Sequence, residues 1–188
     1  MAKKIRIPDY TLGEEITNAI THGLGAIFSI VALVLMIVKA AHDKNTALCF
    51  VVLAVYGTFM FITYIISCIY HGLSPRLKGK IVLRVIDHCD VYLLVLGSIT
   101  AVAILGVQGI YGWILFTCAL AVNVVGIVFT AIDVDKYSKL SVLCHLLSGW
   151  CVLFFVRPLI ANASVNAFYL ILAGGISYSL GAILYWLG

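Results

Sequence analysis

Six long apolar segments alternate with short polar connectors along the chain. Each segment is close to the roughly 20 residues that a helix needs to cross about 30 Å of hydrocarbon. None shows the apolar-polar alternation over about ten residues that marks a membrane-spanning β-strand. The pattern therefore predicts an all-α integral membrane protein, a bundle of six transmembrane helices. They are expected at about residues 16–41, 47–71, 85–107, 111–132, 140–156 and 165–187.

Charged residues and proline mark the ends of these segments. Glu14 and Glu15 open the first one, where acidic side chains suit the positive end of a helix dipole. An arginine and a proline at 157–158 are expected to stop the fifth. Residues 1–13 are polar and predict an N-terminal tail. Residues 14–188 then form a single transmembrane domain.

Composition agrees with this class of protein. The chain is 63% hydrophobic and 11% charged, whereas a soluble domain is about half apolar and about a quarter charged. The first apolar segment is also too long for the core of a secretory signal peptide. The net charge of +4 suits the anionic head groups of membrane lipids. Lipids are therefore the expected partners, and a nucleic acid is not.

Lysine and arginine counts indicate the orientation, because cytoplasmic loops of membrane proteins carry an excess of them. With the N-terminus in the cytoplasm, nine of these residues lie inside and three outside. The ratio predicts a cytoplasmic N-terminus. The inner residues are Lys3, Lys4, Arg6, Arg76, Lys78, Lys80, Arg84, Lys136 and Lys139, and the outer ones are Lys39, Lys44 and Arg157.

The same orientation gathers polar side chains at the cytoplasmic ends of the helices. Four of the five histidines fall in that half of the membrane, and only His42 lies in an outer loop. A charge inside a bilayer is costly unless it is paired, hydrated or bound to a metal, so such residues are candidates for function. The candidates are Glu15, Asn18, His22, Ser67, His71, Asp87, His88, Asp90 and His145.

Helical spacing places several of these side chains on shared faces. Glu15, Asn18 and His22 fall at i, i+3 and i+7, which is one stripe of a helix. Ser67 and His71 fall at i and i+4, also on one face. On each of these helices, the polar side chains are therefore expected to project from one face.

Their chemistry points to a metal site. Imidazole nitrogen and carboxylate oxygen are ligands of zinc and similar divalent ions. A metal held by His71 and Asp87 would neutralise the buried acid and lower the pKa of a bound water toward about 7. Ser67, one turn before His71, would hydrogen-bond a reacting carbonyl oxygen. The six cysteines contain no Cys-x-x-Cys pair, so a disulfide framework or a thiolate zinc site is not indicated.

Ordinary structural roles are the alternative for each residue. His71 and His88 lie near a membrane interface, where a hydrated histidine is common. Glu15 can brace the first helix against its neighbours, and His145 can hydrogen-bond an adjacent helix. Asp90 is expected to be a solvated or capping carboxylate.

Three motifs in this chain resemble those of the haemolysin III family. They are EITNAITHG from Glu15 to Gly23, Ser67-x-x-x-His71, and IDHC from Ile86 to Cys89. The resemblance covers nearly the whole chain. That family is the bacterial branch of the group that contains the progestin and adiponectin receptors, within a wider set of proposed membrane metal hydrolases that includes alkaline ceramidases.

The resemblance implies a bacterial cytoplasmic membrane protein with a zinc site on the cytoplasmic side. The family fold has seven transmembrane helices and a cytoplasmic N-terminus. By resemblance, His71 is a zinc ligand, Asp87 reaches the metal directly or through water, and Ser67 is an active-site hydroxyl. Glu15 and Asn18 would support these residues.

The sequence departs from the family pattern in one respect. The family's seventh helix carries a His-x-x-x-His pair that completes the zinc site, whereas this sequence ends at Gly188, after the sixth predicted helix, and has no such pair. We therefore expect an incomplete zinc shell that binds metal weakly, unless His22, His88 or His145 substitutes.

Functions of three kinds are consistent with these residues. The first is a zinc-dependent membrane hydrolase of lipid amides or esters. The second is a non-catalytic membrane protein, such as a sensor, a channel, a pore-forming haemolysin-like protein or a regulator of membrane energetics. The third is a structural bundle whose polar groups only join helices.

Overall fold

The computed structural model describes residues 7–187, with side chains as far as residue 184. All regular secondary structure within these residues is helical, and the first helix begins at Leu12. Residues 1–6 of the expected N-terminal tail lie outside the described part of the chain. The helices are α1 (Leu12–His42), α2 (Ala47–Gly72), α3 (Lys78–Ala101), α4 (Gly109–Ile132), α5 (Ser138–Trp150), α6 (Val156–Asn162) and α7 (Val165–Leu187).

Six stretches of the described chain are long and apolar enough to cross a membrane. The third consists of α3 and a π-helical turn, Val102–Val107. The fifth joins α5 and α6 through a 3₁₀ segment, Cys151–Phe155. The prediction of an all-α multi-pass membrane protein is confirmed.

A capping box fixes the start of α1. The backbone N–H of Glu14 donates to Thr11 Oγ1 (3.3 Å), and the N–H of Thr11 donates to Glu14 Oε2 (2.7 Å). These bonds satisfy backbone donors that a helix start leaves without partners. Glu14 is therefore held at the surface, and Glu15, the next residue, is buried.

The third span begins earlier than the sequence pattern suggested. We expected helix from Val85, but α3 starts at Lys78. The polarity of Lys80 and Arg84 favours a connector, yet both are buried and paired. Lys80 contacts Glu15, and Arg84 Nη2 donates to Asp135 Oδ1 (2.7 Å). Because each cation is paired with an acid, Lys80 and Arg84 can be buried as part of the helix and need not lie in a solvent-exposed connector.

The fifth span also continues past its expected stop at 157–158. A new helix, α6, begins at Val156, so Pro158 lies in its first turn. Proline is tolerated there because the first-turn N–H groups have no partner within the helix. Asn162 at the end of α6 donates from Nδ2 to the carbonyl of Val107 (2.6 Å), which attaches α6 to the end of the third span.

Successive helices pack side by side: α1 on α2, α2 on α3, α3 on α4 and α4 on α5, with α7 against α5 and α6. Glycines allow the closest approaches. A Cβ at Gly112 would overlap the carbonyl of Ala103, and one at Gly126 would overlap the ring of Tyr92. The apolar core comprises Ile99, Ala103, Val107, Leu115, Ala119, Val152 and Leu159.

Gly126 generates a stability prediction. Tyr92 cannot move aside freely, because its hydroxyl is hydrogen-bonded to Ser141 Oγ at 2.9 Å. Gly126→Ala is expected to lower the free energy of unfolding by about 1–3 kcal/mol through overpacking. Gly174→Ala is the control, since a Cβ at Gly174 meets nothing within 4 Å. Thermal unfolding in one detergent should separate the two variants, and equal midpoints would contradict the packing seen here.

The connectors give a test of orientation. Lys80 and Arg84 are buried, but removing them from the inner count still leaves seven basic residues against three. We expect Asp43→Cys, with the native cysteines replaced, to react with an impermeant maleimide in intact cells. Arg76→Cys in the same background should react only after lysis. The reverse pattern would show that the N-terminus lies outside.

Candidate functional site

Five of the polar residues singled out from the sequence line one cavity. It has a volume of about 320 Å³ and lies among α1, α2 and α3. We call it the α1–α3 cavity. Each of these three helices contributes at least one of the side chains, from the half that is expected to face the cytoplasm. The five residues are His22, Ser67, His71, Asp87 and His88.

Ser67 and His22 form a hydrogen bond across the α1–α2 interface. Ser67 Oγ and His22 Nδ1 are 2.6 Å apart, and Ser67 is buried while His22 is partly exposed. The imidazole rings of His22 and His71 lie with their centroids 5.8 Å apart. The serine hydroxyl is therefore held in a fixed position beside both histidines, as the i, i+4 spacing of Ser67 and His71 predicts.

His71 is oriented by a buried ion pair. Its Nδ1 is 2.7 Å from Glu15 Oε2, and the second oxygen of Glu15 accepts from Lys80 Nζ at 2.5 Å. Lys80 is wholly buried and also donates to the carbonyl of Leu73 (2.8 Å). Because Glu15 occupies Nδ1, the Nε2 of His71 is the ring nitrogen that remains for the cavity.

Lys80 was missed as a site residue because it was counted only as a loop charge. A signal for it exists in the sequence. Once α3 starts at Lys78, the residues Lys80, Arg84, Asp87 and His88 fall at i, i+4, i+7 and i+8, which is one face of a helix. A stripe of four polar residues on a membrane helix predicts an inward-facing surface.

Asp87 and His88 also line a second cavity. This larger space, of about 460 Å³, lies among α3, α4, α5 and α7. His88 Nδ1 donates to the carbonyl of Arg84 (2.9 Å), so in the neutral ring Nε2 carries the lone pair. The structure therefore places these two side chains on the wall between two cavities.

His145 lies in the second cavity and apart from the first. It is buried, and its ring stacks on Tyr92 with the centroids 3.8 Å apart. Within the described part of the chain, its Nε2 has no hydrogen-bond partner. The structure therefore does not bring His145 to His71, and stacking takes the place of the hydrogen bond to a neighbouring helix that the sequence allowed.

Asn18 follows Glu15 by one turn and is partly buried. It shares the stripe with Glu15 and His22, but it is not among the described residues that line either cavity. Its backbone carbonyl accepts a hydrogen bond from Thr21 (3.1 Å). The supporting role expected for Asn18 stays a prediction.

Asp90 was expected to be solvated or capping, and this was wrong. It is 3% exposed, and neither carboxylate oxygen has a partner among the residues described. Asp90 lies almost one turn deeper along α3 than Asp87. There α2 packs closely, and Thr63 Oγ1 donates to the backbone carbonyl of Asp90 (3.1 Å).

The donor set suits part of a zinc shell. His71 presents an imidazole whose other nitrogen contacts a carboxylate, which is usual for zinc-binding histidines. Asp87 lines the same cavity and offers oxygen. However, no three His, Cys, Asp or Glu side chains within residues 7–184 lie close enough together to hold one ion. The described residues thus do not complete the four-coordinate shell that zinc takes.

Comparison with known sequences identifies the family. The family model described as haemolysin-III related matches residues 10–188. This chain belongs to the haemolysin III family. Hemolysin-3 of Bacillus cereus is 37% identical to it over 185 residues, which cover 98% of this chain and 84% of that protein. The Hemolysin-3 homolog of Bacillus subtilis strain 168 is 36% identical over 176 residues, covering 94% and 82%. No solved structure matches the chain significantly.

Asp135 and Asp90 of this haemolysin III chain differ in the partners of their carboxylates, and this generates a prediction. The Asp135 carboxylate accepts from the buried Arg84, whereas the Asp90 carboxylate has no hydrogen-bond partner among the described residues. Asp135→Asn is expected to cost about 1–3 kcal/mol of stability, because it leaves a buried cation poorly paired. Asp90→Asn removes no bond and avoids burying a lone charge.

Thermal unfolding of the two variants in the same lipid or detergent checks this difference. The midpoint of Asp90→Asn should equal or exceed that of the unaltered protein, and the midpoint of Asp135→Asn should fall. A large loss for Asp90→Asn would mean that its carboxylate has a partner that the structure does not contain.

Proposed function

We propose that this haemolysin III family member hydrolyses an amide or ester bond of a membrane lipid in the α1–α3 cavity. The observation that carries the proposal is the convergence of Ser67, His71 and Asp87 on one cavity inside a membrane-spanning bundle. A hydroxyl, an imidazole and a carboxylate are the groups that acyl transfer to water requires. The positively charged connectors favour entry of the substrate from the cytoplasmic leaflet of a bacterial cell membrane.

In the proposed reaction, Asp87 accepts a proton from water as the water oxygen attacks the carbonyl carbon. The carbon–nitrogen or carbon–oxygen bond then breaks, and the leaving amine or alcohol takes that proton from Asp87. The products are a fatty acid and the freed amine or alcohol. Asp87 therefore acts first as the general base and then as the general acid.

Ser67 is proposed to stabilise the oxyanion. If His22 donates its Nδ1–H to Ser67 Oγ across 2.6 Å, the serine hydrogen is free to point at the carbonyl oxygen. A donor fixed before the reaction needs no reorganisation as negative charge develops. His22 is thus a positioning residue in this proposal, and Ser67 is the residue that touches the substrate.

We further propose zinc as the cofactor, with His71 Nε2 as a ligand, Asp87 reaching the metal through the reacting water or directly, and His22 or His88 as weaker candidates. The proposal is supported by the donor types and by the contact between His71 and Glu15. Bound zinc would polarise the carbonyl and acidify a water molecule. The described residues supply only part of the shell, so weak binding is expected.

The competing proposal is a non-catalytic role, as a sensor, a channel or a pore. The printed names of the relatives, Hemolysin-3 and Hemolysin-3 homolog, suggest damage to red-cell membranes, which pore formation would also produce. In that case the polar residues would bind ions or join helices, and no lipid would be cleaved.

The test is turnover of a panel of lipid amides and esters by the protein in lipid vesicles, with metal content measured on the same sample. Ser67→Ala is expected to lower kcat about 10²–10³-fold, as loss of one oxyanion donor does. His71→Ala should abolish both turnover and the bound zinc. His42→Ala is the matched control, because His42 is exposed and pairs with Asp43 at the far end of α1.

Cleavage of a panel lipid that survives in Ser67→Ala and His71→Ala would refute the proposed roles. Release of a trapped dye from vesicles without any lipid cleavage would favour the pore. Equal zinc in the His71→Ala variant and the unaltered protein would remove His71 as a ligand.

A further inference from the structure

Lys80 is the most completely buried charged side chain of the described residues, and it makes contacts with three helices. It is 0% exposed. It starts in the first turn of α3, donates to Glu15 of α1 (2.5 Å) and donates to the carbonyl of Leu73 at the end of α2 (2.8 Å). Its ammonium also lies 5.1 Å from the ring centroid of Tyr70. A cation held by these three neighbours is fixed in position.

The contact with Glu15 determines what Glu15 can do for His71. Lys80 is a donor only, so Glu15 Oε1 must accept. An ionised carboxylate is an acceptor at both oxygens, and therefore Oε2 also accepts. His71 Nδ1, 2.7 Å away, must then carry the hydrogen. The neutral ring consequently has its lone pair on Nε2.

The position of His71 makes this tautomer consequential. His71 is buried and lines the α1–α3 cavity. A ring with Nε2–H would offer the cavity a donor, whereas a ring with a bare Nε2 offers an acceptor or a ligand. The tautomer of a histidine is set by the hydrogen bond that its other nitrogen makes.

We propose that Lys80 is a positioning residue of the site, which acts through Glu15 to hold His71 as the Nδ1–H tautomer with the Nε2 lone pair available to the cavity. Lys80 itself touches no substrate. The significance of this role for activity rests on the proposed function, but the tautomer exists whether or not the protein cleaves a lipid.

A purely structural role for Lys80 is the alternative. In that case Lys80 only joins α1, α2 and α3, and a neutral residue of similar length would disturb packing without changing the hydrogen position on His71. The two roles therefore differ in a spectroscopic property of one imidazole ring. Neither substrate nor metal is needed to measure it.

The experiment is nitrogen-15 NMR of the full chain labelled at its histidine ring nitrogens, in lipid bilayers at neutral pH. The signals of His71 are those lost in His71→Gln. In the unaltered protein we expect a protonated Nδ1 and a non-protonated Nε2. Lys80→Met should shift both signals toward the Nε2–H form or toward their average, and Lys80→Arg should restore the original pattern at least in part.

Lys78→Met is the matched control, since Lys78 lies two residues earlier on α3 and is exposed. Its spectrum should match that of the unaltered protein. Glu15→Gln keeps the size of the side chain but removes the carboxylate, and it should change the His71 signals as Lys80→Met does. The double variant Glu15→Gln/Lys80→Met removes both charges together. It leaves no unpaired buried charge, so it remains usable if a single variant fails to fold.

An Nε2–H pattern for His71 in the unaltered protein would overturn the proposal. So would an unchanged Nδ1–H pattern in a folded Lys80→Met or double variant. Failure of the proposed hydrolase is distinguishable, because a protein with no turnover and the expected tautomer would retain the positioning role and lose only the catalytic one.

Discussion

The buried pair of Lys80 and Glu15 is the interaction on which the arrangement of the first three helices depends. Neither charge can remain alone in an apolar interior, because breaking such a pair leaves an uncompensated ion at a cost of about 3–5 kcal/mol. The pair therefore forces the starts of α1 and α3 together. The end of α2 is held between them by the carbonyl of Leu73 and by His71. The α1–α3 cavity exists where these three helix ends meet.

The sequence predicted the architecture well because hydrophobic length is a strong physical signal in membranes. The length of the apolar segments predicts the six spans and the all-α class, and three motifs indicate the family. The grouping of His22, Ser67 and His71 was also predictable, because helical spacing places the latter two on one face and the orientation places all three at one depth. The chemistry assigned to these residues remains a set of proposals.

The remaining details depend on contacts between helices that are distant in sequence. Lys80 looks like a loop residue unless α3 is taken to begin at Lys78, and its partner lies 65 positions earlier in the sequence. Asp90 looks solvated because it is charged and close to the expected helix start. It is buried because it lies on the side of α3 that packs against α2. His145 shares the depth of the other histidines but lies across the bundle, stacked on Tyr92. Depth along a helix can be read from a sequence, whereas direction around the bundle cannot.

One turn of α3 acts as a partition between two chambers, with Asp87 and His88 exposed to both. A substitution at either position alters two compartments at once, so its phenotype cannot be attributed to one of them. Ser67 borders only the smaller chamber and His145 only the larger among the residues described. These two residues are the ones whose replacement can assign an effect to a single compartment.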